Sequence, residues 1–244
     1  LKGAHTRKSI NFCKERGVQM HSVDPKPQFD TEALKQEFAE TFFFHEDLSL
    51  NAISSLPKFG AGLIDGDHNW YTVYHELIEI EKLHHDDEAN FPVLFLHDIG
   101  WPYGRRDLYY NPQTIPVEFR NEYAKAGIVK GQPTLKKGKG LNQTLCNAIT
   151  EGGAKNGILT AIEDYLKQSA ISFRFEQIPS NFGLGIIVTE KRLDSEPALK
   201  SCFDEMFSKA GLLKLLEAAE AHRIKQFYKL YEIWMKEEID KVKK

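Results

Sequence analysis

Two short apolar runs that break off into acids constrain this chain more than any other feature of it. They are Gly62-Leu63-Ile64-Asp65-Gly66-Asp67-His68 and Val93-Leu94-Phe95-Leu96-His97-Asp98. Runs this short, bounded by polar residues, read as strands, and in an open α/β sheet ligands bind beyond the carboxyl ends of such strands. Asp65 and Asp98, with His68 and His97 beside them, are hard-oxygen and imidazole donors of the kind that hold Mg2+ or a similar divalent ion. The same aspartates also suit the N-caps of the helices that follow each strand. Four such residues on two strand ends favour a site.

Folding a sheet of this kind takes length and apolar content, and 244 residues with 41% hydrophobic side chains supply both for one α/β domain with an appendage. A net charge of −3 argues against broad electrostatic binding of nucleic acid or of anionic membranes. No apolar run approaches the length of a membrane span. The three cysteines are scattered and lack metal-type spacing, which points to reduced thiols and a cytoplasmic protein.

Along the chain, strands are expected to alternate with helices. A helix from Thr6 to Arg16 stops at Gly17, a strand ends at Asp24-Pro25, and a further strand spans Thr41–Phe44 before a short helix from Ser49. Because the chain opens directly into a helix, the expectation is that a first strand lies upstream of Leu1. Apolar residues at Val73, Leu77, Ile80 and Leu83 mark one buried face of a helix that begins at Trp70. His84 to Glu88 reads as a solvated helix end and loop.

From Ile99 to Leu141 no period is sustained, and the segment reads as a lid or binding loop. Its Trp101, Tyr103, Arg105 and Arg106 suit an acceptor site, since flat rings stack on sugar faces and guanidinium groups clamp carboxylate or phosphate. A packed loop with structural arginines is the alternative. A helix over Ile158–Gln168 and two strands, Ile171–Ile178 and Leu184–Thr189, complete the sheet. The expected fold is α/β: a doubly wound, mostly parallel sheet with an antiparallel last strand in residues 1–193, then a helical extension in 194–244. On that extension Ile224, Tyr228, Tyr231, Met235, Ile239 and Val242 form one stripe. The stripe needs a partner surface, in this domain or in another chain, as in a homo-oligomer or a partner domain.

Three segments carry a resemblance to a known family: Ile64-Asp65-Gly66-Asp67-His68 with Tyr71 beyond it, His97 to Asp107, and Glu151-Gly152-Gly153-Ala154-Lys155-Asn156-Gly157. Over 1–193 the chain resembles the Rossmann-like class I S-adenosylmethionine-dependent methyltransferases, in the metal-dependent branch that methylates sugar hydroxyls. The resemblance implies that Gly3 and Thr6 belong to the tail of the glycine-rich cofactor loop and that Asp24 binds the ribose. It places Asp47 and Ser49 near adenine and Asp65 at both cofactor and metal, with Asp98, and His97 as a further ligand or its supporting partner. His68 matches the general base, and the acceptor is a glycan or another polyhydroxylated small molecule.

The sequence departs from the family pattern in lacking the acid of the first strand, in the neighbours of Asp98, and in having Asn90-Phe91-Pro92 where a Pro-Gly-Gly turn is usual. Two alternatives stand beside the transferase. One is an oxidant-dependent hydroxylase of the same branch. The other is a non-catalytic, vestigial cofactor-binding module of a larger polysaccharide-assembly protein.

Overall fold

The computed structural model describes residues 4–242 and shows an α/β fold. Helix α1 (Ala4–Glu15) leads into β1 (Met20–Val23), and α2 (Thr31–Glu37) leads into β2 (Phe42–His45). The two strands pair in parallel. Asp30 caps α2 by accepting from Ala33 N–H at 2.9 Å. Ile10, Leu34, Phe38 and Phe42 form a small core of their own for this α-β-α-β unit.

Helix α3 (Ser49–Ala52) and a 3-10 turn lead to β3 (Ala61–Ile64), α4 (Trp70–Leu83) and β4 (Val93–His97). Asn69 caps α4, accepting from Thr72 N–H at 2.9 Å. The apolar period of α4 does what the sequence implies, burying Val73, Leu77 and Ile80, whereas Leu83 is only partly covered. β3 and β4 are parallel.

The chain then builds a second small sheet from β5 (Leu108–Tyr109), β6 (Tyr123–Lys125) and β7 (Cys146–Ala148), in the order β5-β7-β6. It returns through α5 (Ile158–Gln168) to β8 (Phe173–Ile178) and β9 (Leu184–Thr189). The larger sheet runs β3-β4-β9-β8, with β9 antiparallel to both of its neighbours. Side-chain alternation covers both of its faces. Leu94, Leu96 and Ile187 join the main core under α4 and α5 with Ile162 and Tyr165. Val93, Ile186 and Val188 face the other way, onto Leu193 of α6 (Glu190–Ser195) and Phe203 of α7 (Pro197–Met206).

Three expectations are corrected. The region from Ile99 to Leu141 is folded structure rather than a lid: it contributes to a three-stranded sheet and buries Tyr103, Arg106, Asp107, Leu108, Tyr109, Ile115 and Ile128. Its strands are too short to show a period. His84 is buried rather than solvated, its ring edge-on to Phe59 at 5.0 Å. The third concerns only which partner is open: on α8 (Lys209–Val242) Ile224, Tyr228 and Tyr231 of the stripe are exposed, so this domain does not cover them. No helix among the described residues is long and apolar enough to cross a membrane.

Candidate functional site

The carboxyl tips of β3 and β4 lie side by side because Ile64 and Leu96 are partners in the parallel register, so the residues that follow each strand meet. Asp98 takes φ 59°, a left-handed turn that Asp tolerates better than most residues, directly at the end of β4. Its carboxylate works in two directions. Oδ2 lies 2.7 Å from His68 Nε2, and Oδ1 lies 3.5 Å from His97 Nδ1. Asp65 Oδ1 is 3.0 Å from His97 Nδ1 and 3.9 Å from His68 Nε2.

Asp65, His97 and Asp98 each turn one donor atom toward the others, all within 4.8 Å. His97 donates its remaining N–H, on Nε2, to the Asn181 carbonyl at 2.9 Å. That bond fixes the ring so that Nδ1 faces the carboxylates, the arrangement in which metal-ligating imidazoles are usually held. Burial alone would lower the pKa of His97, but Asp98 and Asp65 outweigh it and the net shift is upward. Two carboxylates and an imidazole nitrogen suit a divalent ion, so the donor set fits the metal that the resemblance implies.

His68 is buried, and its backbone is pinned by an isolated bridge to Leu108, whose N–H reaches the His68 carbonyl at 2.9 Å. Nε2 lies against Asp98 Oδ2, and Nδ1 is buried with no hydrogen-bond partner. The imidazole is flanked by the rings of Tyr103 at 5.5 Å and Tyr110 at 5.7 Å. Asp67, between the two motif residues, accepts from His68 N–H at 3.0 Å and from the Thr72 hydroxyl at 2.9 Å. Burial pushes the Asp67 carboxyl up, and those hydrogen bonds oppose the rise.

One buried carboxylate supports the whole arrangement from behind. Asp107 accepts from Trp70 N–H and Gly157 N–H, each at 2.7 Å, from the Tyr109 hydroxyl at 2.7 Å and from Asn121 Nδ2 at 2.9 Å. It thereby ties the start of α4, just after His68, to the start of α5. Gly157 is required there: its φ is 92°, and a Cβ would collide with the backbone of Arg105 and Arg106.

The expected acceptor residues divide. Arg105 forms an exposed bidentate pair with Glu163 at 2.6 Å on both arms. Arg106 is corrected to a structural role. It is 0% exposed, donating to the Pro133 carbonyl at 2.8 Å and to the Ala148 carbonyl, so no ligand can reach it. Tyr103 is buried too, its hydroxyl held by Asn142 at 2.6 Å and Asn147 at 3.2 Å, and it meets His68 with its ring alone. Trp101 is partly exposed, with Nε1 buried and unpartnered and Lys130 over its ring at 6.0 Å.

The expected cofactor residues lie on both units. Gly3 falls outside the described residues. Thr6 stands in the first turns of α1, and Asp24 follows β1, spending Oδ1 on Lys26 N–H at 2.8 Å. Asp47 accepts from Leu48 N–H at 2.7 Å and Asn51 at 2.9 Å, which fastens the chain between β2 and α3. Ser49 hydrogen-bonds Glu76, a buried acid on α4.

Sequence reading missed Asp67, Asp107 and Tyr110. Asp67 lies inside the motif itself, while Asp107 and Tyr110 sit in the aromatic run after Arg106, where only burial separates an inward residue from an outward one. No protein-family model, curated protein or solved structure matches the chain.

Proposed function

We propose that the protein is an S-adenosylmethionine-dependent O-methyltransferase, assisted by a divalent metal, that acts on a sugar or similar polyhydroxylated acceptor. The observation that carries this reading is the buried His68–Asp98 pair beside the Asp65–His97–Asp98 donor set, at the tips of two parallel strands. A sugar hydroxyl is a poor nucleophile near neutral pH, so catalysis turns on removing its proton and aligning its oxygen. His68 takes the proton on Nε2, the nitrogen that faces Asp98 and the donor set, and Asp98 stabilises the imidazolium that forms. When bound, the cofactor supplies an electrophilic methyl group. A divalent ion held by Asp65, His97 and Asp98 would lower the pKa of the acceptor hydroxyl.

The sheet supports the same reading. β1 is paired only with β2, and β3 only with β4, so each keeps one edge open. A parallel strand between them would join the two sheets in the order β2-β1-strand-β3-β4-β9-β8, a Rossmann-like doubly wound arrangement with its cofactor crevice beyond the strand tips. Asp24 and Asp65 would then flank that crevice from either side.

Calorimetric titration of S-adenosylmethionine into the full-length protein, with and without Mg2+, tests the reading. Micromolar binding that Asp24→Ala abolishes is expected. His68→Asn should keep that binding while lowering methyl transfer by about 10²–10⁴-fold, the usual worth of a general base. Absence of cofactor binding overturns the proposal.

A further inference from the structure

With Arg106 buried and Arg105 paired with Glu163, the surroundings of His68 take on a definite chemical character. The nearby charges are the carboxylates of Asp65, Asp67 and Asp98, with His97 between two of them. No arginine is left to clamp an anionic group. The remaining contact surface is aromatic.

Of the two rings that flank His68, Tyr103 is 4% exposed and Tyr110 58%. Tyr110 is therefore the one that offers a face to a molecule arriving from solvent. This tyrosine is not on a loose loop. It follows β5 directly, and β5 is bridged to the His68 backbone at Leu108. Leu108 and Tyr109 of β5 are both buried, Tyr109 donating to Asp107, and the exposed side chain is that of Tyr110, just past the strand end. Among the described residues its hydroxyl makes no hydrogen bond, although it is close enough to Asp67, Asp98 and Asp65 to be influenced by their charges. An exposed ring and an unused donor beside a catalytic base are what a pyranose needs: an apolar face to stack on and one directional hydrogen bond.

We infer that Tyr110 is the acceptor platform, and that the acceptor is an electrically neutral sugar ring with no carboxylate, phosphate or sulfate next to the hydroxyl presented to His68. This rests on the transferase reading for the role of His68, but its test needs no turnover. The probes are compared without added divalent ion, where an anionic substituent at that position would face Asp65 and Asp98 with no compensating guanidinium.

Saturation-transfer NMR on the full-length protein, with methyl β-glucopyranoside and the matching methyl glucuronide as probes, decides the matter. The neutral glycoside should show ring-proton enhancement that falls at least fivefold in Tyr110→Ala and by no more than about twofold in Tyr110→Phe, while the glucuronide gives none. Because Tyr110 is largely exposed, both variants should keep the wild-type circular dichroism. Equal signals from the two probes, a neutral signal indifferent to Tyr110→Ala, or no signal from the neutral glycoside overturns the inference. Neutral-sugar binding through Tyr110 in a protein that takes no S-adenosylmethionine would sink the transferase reading and leave this one standing.

Discussion

At the scale of single residues, the consequential groups are carboxylates whose surroundings differ. Asp65 and Asp98 sit at strand tips where solvent, imidazoles and a cation can all reach them, whereas Asp107 is fully buried and satisfied by donors from α4, α5, Tyr109 and Asn121. Burial raises the Asp107 carboxyl and the hydrogen bonds pull it back. Removing it would strand several buried donors at once. Asp107→Ala should therefore cost about 3–5 kcal/mol of stability, read as a lower urea midpoint, which is the usual scale for breaking a buried, charge-centred network. A loss under about 1 kcal/mol would mean that water satisfies those donors. The sequence displayed Asp65, His68, His97 and Asp98 openly because each ends an apolar run. It did not separate Asp107 from its neighbours Arg105 and Arg106, because all three are charged and only burial tells a network centre from a ligand clamp.

At the scale of elements, α4 shows how one helix serves both core and site. Its apolar face packs beneath the sheet, its N-terminus carries the residues after His68, and Glu76 on the same helix is buried against α3 with one oxygen unpartnered. Burial is the main cause that pushes the Glu76 carboxyl up to about 8, the Ser49 hydrogen bond opposes it, and the charge of Asp67 adds to the rise. The folded protein therefore keeps a proton that the unfolded chain releases above its ordinary carboxylate pKa of about 4.5. The native state binds more protons than the unfolded one across the window between these values, so stability falls as pH rises through it, by about 1.4 kcal/mol per pH unit at most. Glu76→Gln should flatten that dependence between pH 5 and 8 and melt higher than the parent at pH 8. Parallel pH profiles for parent and variant would remove Glu76 as the cause. The helical period of α4 was plain in the sequence. The buried acid on it was not, because Glu76 lies one residue from a core position and reads equally well as solvent-facing.

At the scale of the whole molecule, stability should be uneven. The unit built from α1, β1, α2 and β2 has a core of four buried apolar residues, while the main core beneath α4 and α5 is far larger and continuous across β4 and β9. No strand pairing joins the two sheets among the described residues. Native-state hydrogen exchange should therefore find the amides of β1 and β2 opening at a lower free energy than those of β4 and β9. Equal protection would mean that the two units unfold as one.

Most of the element order, the parallel pairs and the antiparallel last strand followed from apolar runs, turn residues and helical period, because these patterns are local. So did the two acid-ended runs at the centre of the candidate site. What the sequence could not decide was which polar side chains face the ligand and which are consumed by the fold. Arg106 and Asp107 were drawn inward by partners at Pro133, Ala148 and Gly157 and Arg105 was paired at the surface with Glu163, all distant along the chain, and Tyr110 was left exposed just past the end of β5. Those outcomes depend on long-range pairing and burial, and only the tertiary structure fixes them.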